Sequence, residues 1–171
     1  MDILVVVDMQ NDFIDGALGS PEAPGIVDGI NELVKGFSGK IIFTRDTHTD
    51  DYMDTQEGRK LPVAHCIKNT HGWQITDGIA IPADAEIIDK PTFGSVALAE
   101  MLTELDKTDK IGTVELVGLC TDICVISNAM LIKAALPEIT VRVRGDLCRG
   151  VTTASHDTAL AAMRACQIEV V

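Results

Sequence analysis

Along the chain, short runs of consecutive apolar residues alternate with longer stretches in which apolar residues recur every three or four positions. The runs Ile3–Val7, Lys40–Thr44, Glu86–Ile88, Thr113–Val117, Ile139–Val143 and Ile168–Val171 read as strands. Most are apolar at successive positions, not alternate ones, which is the pattern of strands covered on both faces of a parallel sheet. Between them, Ile26, Ile30, Leu33, Val34 and Phe37, and then Leu98, Met101, Leu102 and Leu105, keep the 3.6-residue period of helices with one buried face. Cys124–Ala135 and Ser155–Cys166 complete the helices, with Ser155 placed to cap the last one. Alternating units joined by right-handed crossovers predict a doubly wound, mostly parallel six-stranded sheet with helices on both faces, a Rossmann-like three-layer α/β/α arrangement.

The stretch 47–82 breaks the pattern: it is polar, carries little apolar periodicity and is too long for a simple connection. It reads as a metal-binding or lid-like insertion into a single domain over residues 1–171. In sheets of this kind ligands sit beyond the carboxyl ends of the strands. Chemistry-bearing residues fall there, with Asp8 after the first strand, Asp46 and His48 after the second, Asp89 and Lys90 after the third, and Gly118–Cys124 after the fourth.

Charge narrows the partners. The 171 residues include 14 Lys and Arg against 26 Asp and Glu, a formal net charge of -12, so a nucleic-acid backbone or an anionic membrane is disfavoured. No apolar run approaches the roughly 20 residues of a membrane span. Met1-Asp2 leads straight into the first strand without a basic leader, and a cytoplasmic protein is the expectation. Five cysteines without regular spacing read as reduced thiols.

Cys124 is the best-placed of these thiols. It is predicted to open a helix, where unpaired backbone N–H groups and the helix dipole favour an anion. Lys90 would favour its thiolate and Asp8 would shuttle its proton. Taken singly, each residue has an ordinary reading: a cysteine on a helix is most often a small core side chain, Asp8 caps a turn, and Lys90 is solvated. Convergence from different strand ends is what points to chemistry. Cys66, Cys120, Cys148 and Cys166 keep the core reading, Cys120 with a backbone contribution to the site.

A second constellation, Asp46-x-His48 with Glu57 and His65, offers two imidazoles and two carboxylates within twenty residues. That set suits one divalent Zn, Mn or Fe ion, and the Asp-x-His spacing puts both side chains on one face of an extended segment. His71 is a spare ligand candidate, and His156 reads as structural.

Three segments, Val6-Val-Asp8-Met-Gln-Asn-Asp-Phe13, Asp89-Lys-Pro-Thr-Phe-Gly-Ser95 and Val117-Gly-Leu-Cys-Thr-Asp-Ile-Cys-Val125, resemble the signature segments of the isochorismatase-like cysteine hydrolases. Arg45-Asp-Thr-His48 and Leu61-Pro-Val-Ala-His-Cys66 look like the metal segments of the nicotinamidase/pyrazinamidase branch. The resemblance implies a triad of Asp8, Lys90 and Cys124 and a cis peptide between Leu119 and Cys120, with the Cys120 and Cys124 N–H groups as oxyanion hole. It also implies a metal held by Asp46, His48, Glu57 and His65, and a small amide substrate, nicotinamide first, hydrolysed through a thioester. Phe13 matches the first aromatic wall of the pocket, while two other positions depart from the branch. Leu61 lies where many members carry Trp or Phe, and Ile123 where some carry His. Leu61 or Trp73 would have to supply the rest of the pocket, although Trp73, the only tryptophan, reads more readily as a core residue or loop anchor.

Two alternatives stand beside this reading. One is a metal-independent isochorismatase-type or carbamoyl-amine hydrolase on the same triad. The other is a non-catalytic binding module resembling a receiver domain, which would lack the selective alkylation at neutral pH expected of a hyper-reactive Cys124. The small-residue stretch Thr158–Met163 either faces a second copy in a homo-oligomer or packs on the sheet.

Overall fold

The computed structural model describes residues 1–171. Six strands, β1 (Ile3–Val7), β2 (Lys40–Asp46), β3 (Glu86–Lys90), β4 (Thr113–Leu119), β5 (Thr140–Arg149) and β6 (Glu169–Val170), form one sheet in the order β3-β2-β1-β4-β5-β6, and every pairing is parallel. The helices are α1 (Asn11–Ile14), α2 (Val27–Gly36), α3 (Gln56–Lys60), α4 (Val96–Thr108), α5 (Ile126–Ala135) and α6 (Thr153–Ala165). The predicted doubly wound six-stranded architecture is the one observed. No helix is long and apolar enough to cross a membrane.

β1 is the centre of the molecule, and all five of its residues are fully buried. Ile3, Val5 and Val7 face a core shared with Leu98 and Leu102 of α4, Ala129 and Ile132 of α5, and Leu160 and Met163 of α6. Leu4 and Val6 face the opposite core, with Ile30 and Val34 of α2. The 47–82 stretch is less polar in its role than its composition predicts. Cys66, Trp73, Ile75 and Ile79 all enter this second core, so the stretch covers the sheet where a second crossover helix would otherwise lie.

Several boundaries differ from the predicted ones for identifiable reasons. β2 and β3 each run two residues further, because the register pairs Arg45 with Asp89 and Asp46 with Lys90, and opposite charges on adjacent strands extend the ladder. β5 continues to Arg149 past a register shift between Leu116 and Gly118 of its partner, while β6 shrinks to two residues. The cap of α6 is Thr152, not Ser155. Ser155 is the third helical residue, and the two hydroxyls complete a reciprocal capping box. Cys124 lies inside a π-helical turn, Thr121–Val125, one step before α5 begins.

Candidate active site

The carboxyl ends of β1, β2, β3 and β4 converge where the strand order reverses direction between β1 and β4. Two backbone features hold this junction. Gly118 has φ +116, and a Cβ there would lie 2.1 Å from the Val7 carbonyl oxygen, so only glycine lets β4 pass β1 at this height. Asp8 itself adopts a left-handed φ of 48, which turns its side chain away from the ladder and into the junction. The peptide bond between Leu119 and Cys120 is cis, as the family resemblance implies.

Lys90 is the hub. Its buried ammonium lies 2.6 Å from Asp8 Oδ2, 3.5 Å from Asp46 Oδ1 and 3.5 Å from Cys124 Sγ, and donates to the Thr92 carbonyl at 3.1 Å. Thr44, one strand over, donates its hydroxyl to Asp8 Oδ1 at 2.6 Å. Apart from the ion pair with Lys90, Asp8 Oδ2 has no hydrogen-bond partner and is a buried acceptor open to a proton. The three residues expected to converge from separate strand ends therefore do so.

The protonation of the three is set by burial as well as by their mutual charges. Burial, and then the charge of Asp8, push the Cys124 thiol well above its ordinary range, and the attraction of Lys90 does not outweigh them. Lys90 thus favours the thiolate, as expected, but against the larger effect of burial. Burial also raises the Asp8 carboxyl against the pull of Lys90. For Lys90, burial opposes the charge, yet Asp8, Cys124 and Asp46 together raise its pKa and keep it an ammonium. The group of three thus carries one positive and one negative charge, with a single proton to be placed on either the sulfur or the carboxylate. Either placement leaves the buried group neutral overall, which makes transfer between them inexpensive.

The second constellation is adjacent. Asp46 closes β2, His48 follows in a bridge to the Ile67 segment, Glu57 projects from α3, and His65 precedes Cys66. One donor atom from each lies within 4.8 Å of all the others. His48 Nε2 is 2.9 Å and His65 Nε2 3.5 Å from Asp46 Oδ2, and the two nitrogens are 3.6 and 3.8 Å from Glu57 Oε1. Donors on a tetrahedral ion with bonds of about 2.0–2.1 Å stand about 3.3–3.4 Å apart, so small side-chain shifts would bring the set onto one divalent metal ion. The Val63 carbonyl, 2.8 Å from His65 Nδ1, leaves Nε2 for the ion. For Asp46, burial works against ionisation but the two histidines and Lys90 prevail and lower its pKa. Asp46 therefore faces the metal cluster with one oxygen and Lys90 with the other.

Residues that sequence reasoning passed over support both groups. Fully buried Gln10 pairs with the main chain of Asp46 as a neighbouring strand would, donating to its carbonyl at 2.8 Å and accepting its N–H at 2.7 Å. Tyr52, beneath the imidazoles at ring distances of 4.7 and 4.9 Å, donates its hydroxyl to the Leu61 carbonyl. His71 stands outside the cluster, and His156 pairs with Thr121 through Nδ1.

A cavity of about 250 Å³ opens onto the sulfur. Phe13, Leu61 and Ile123 line it as expected, and so do Asp46, Glu57, His65, Cys120 and Cys124. Trp73 does not. It is a loop anchor, with its indole N–H on Thr47 Oγ1 and the Arg45 guanidinium 3.7 Å above its ring. Phe93 supplies the second aromatic wall instead, with Leu18 and Val151 nearby. Phe93 lies within the Asp89–Ser95 segment, which is the signal that could have found it. No lysine or arginine lines the cavity, and Asp8 and Lys90 lie behind its wall so that only the sulfur of the three reaches it.

Comparison with known proteins gives a family match over residues 2–171 to the isochorismatase domain. A nicotinamidase of Saccharomyces cerevisiae is 32% identical over 53% of this chain and 56% of its own length, so the match spans about half of that relative. A nicotinamidase/pyrazinamidase of Mycobacterium tuberculosis is 27% identical across 100% of this chain and 98% of its own. Among solved structures, a pyrazinamidase of Pyrococcus horikoshii in complex with zinc superposes with a TM-score of 0.86 at 29% identity, covering 99% of this chain and 98% of that one.

Proposed function

The chain belongs to the isochorismatase family, and on that premise we propose that it is a metal-dependent cysteine amidohydrolase that converts nicotinamide to nicotinate and ammonia through a Cys124 thioester. The observation that carries this reading is the meeting of the Asp8–Lys90–Cys124 group and the Asp46–His48–Glu57–His65 cluster on one small, mostly apolar cavity. The named relatives support it as well.

In the proposed reaction, Asp8 takes the Cys124 proton as the sulfur attacks the amide carbon and the negative charge passes to the amide oxygen, with the Lys90 ammonium facing both groups throughout. The N–H groups of Cys120 and Cys124 face the developing oxyanion. Asp8 returns its proton to the departing ammonia, then draws a proton from water as that water cleaves the thioester. Phe13 and Phe93 flank the ring, and the apolar wall excludes bulk water. Asp46, His48, Glu57 and His65 would hold the ion, which would supply Lewis-acid polarisation to a substrate ring seated in the cavity.

The cavity's charges favour a neutral amide over the alternatives on the same triad. Substrates bearing their own carboxylate, as isochorismate and carbamoyl amino acids do, would find no lysine or arginine in the lining, and a neutral amide needs none.

Ammonia release from nicotinamide, pyrazinamide and a carbamoyl amine, with and without chelator, tests the reading. Chelation, like His48→Ala, is expected to raise the KM for nicotinamide about tenfold or more, and added divalent metal is expected to restore the chelated enzyme. Turnover indifferent to chelation would instead favour a metal-free hydrolase. Phe93→Ala removes a half-exposed wall ring that meets substrate before and during reaction alike. It is expected to raise KM about five- to tenfold and leave kcat within about twofold, read from saturation kinetics.

A further inference from the structure

The buried stripe leading from the nucleophile turn into α5 runs Cys124, Asn128, Ala129 and Ile132. Asn128 is the polar member, fully buried where leucine or alanine would make the better helix. A buried carboxamide is tolerated when its polar atoms are hydrogen-bonded, and Asn128 makes three such bonds, all at the site. Its Nδ2 donates to the Cys124 carbonyl at 2.8 Å and to the Phe93 carbonyl at 3.3 Å, and its Oδ1 accepts the Ser95 N–H at 2.9 Å. A planar group with two donors and one acceptor is needed, which no hydroxyl, carboxylate or apolar side chain of this length provides.

The three partners belong to two pieces of the site. Cys124 carries the sulfur. The loop Pro91–Ser95 carries the wall ring of Phe93 and, through the Thr92 carbonyl, seats the Lys90 ammonium. This loop lies tightly on α5: a Cβ at Gly94 would meet Leu131 Cδ1 at 2.7 Å and Ser127 at 3.2 Å.

We infer that Asn128 is a positioning residue that clamps the Phe93 loop to the main chain of Cys124 and so sets the reacting sulfur against the ring wall and Lys90. The inference deepens the amidohydrolase reading and rests on it for the turnover measurement alone.

Asn128→Leu and Asn128→Ser, the latter leaving space for a bridging water, are compared with the parent for melting temperature, for kcat and KM with nicotinamide, and for the rate of Cys124 alkylation by iodoacetamide located by mass spectrometry. A displaced sulfur and loop are expected to lower kcat about 10- to 100-fold and the alkylation rate at least about threefold in Asn128→Leu, with Asn128→Ser between it and the parent. A lower melting temperature with kcat, KM and alkylation at parental values per folded molecule would mean a purely structural amide and overturn the inference. If Asn128→Leu does not fold, Asn128→Ser is judged by the same criterion. If the parent releases ammonia from no amide, the amidohydrolase reading fails while the alkylation rates still decide the clamp.

Discussion

Cys124→Ala is expected to reduce ammonia release from nicotinamide by about four orders of magnitude or more while leaving bound metal and product affinity near parental values. The size of the effect follows from the role: without the sulfur there is no thioester, and the remaining groups offer only binding and polarisation, as when the nucleophile is removed from other covalent hydrolases. A loss of that size corresponds to about 5.5 kcal/mol of barrier. The selectivity follows from geometry. Cys124 approaches Lys90 at 3.5 Å but is not among the four side chains of the metal cluster, and it is one of several residues lining the cavity. Removing one sulfur atom leaves Asp46 between its histidines and Lys90 between its carboxylates. Metal content by elemental analysis and nicotinate binding by calorimetry would therefore stay near the parental values. Turnover by the alanine variant at the parental rate would remove the thioester from the mechanism altogether.

The strand ends were legible because a doubly wound sheet makes position along the chain equivalent to position in space. Asp8, Lys90 and Cys124 are far apart in sequence, yet each follows or closes an apolar run, and parallel strands bring all such ends to one edge. The metal cluster was legible for a related reason, since Asp46 and His48 share a face of one extended segment. What escaped were residues whose role is set by burial. Gln10 and Asn128 read as ordinary polar residues until their carboxamides are seen satisfied in the interior around Asp46 and Cys124. Phe93 went unassigned although it lies in the Asp89–Ser95 segment, and Trp73 serves as a loop anchor packed against Arg45 and not as a pocket wall.

The acidity of Cys124 depends on a quantity that sequence does not list. Sequence lists the charges that gather around a thiol, Lys90 among them, but not the removal of water, and here desolvation is the largest influence on the sulfur. The expected consequence, on the proposed mechanism, is a nucleophile generated by proton transfer during attack and not kept as a standing anion.

Asp8→Asn follows from that consequence, and it is expected to separate two properties that ordinarily fall together. Amide turnover should drop about 10²- to 10⁴-fold, because no group remains to take the thiol proton, return it to ammonia and activate water. The thiol, in contrast, should become more acidic. Burial, the first influence raising it, persists in the variant, but the second, the negative charge of Asp8, is gone, and the lowering influence of Lys90 is no longer opposed from that side. Lys90 keeps Asp46 at 3.5 Å and so retains an anionic neighbour of its own. The pH profile of Cys124 alkylation by iodoacetamide is therefore expected to move to lower pH in Asp8→Asn, giving faster labelling at neutral pH in a protein that scarcely hydrolyses amide. An alkylation profile moved to higher pH would show that Asp8 helps to hold the thiolate, and unchanged turnover would show that it carries no proton. Both outcomes contradict a neutral buried group in which one proton is shared between Asp8 and Cys124 under the fixed charge of Lys90.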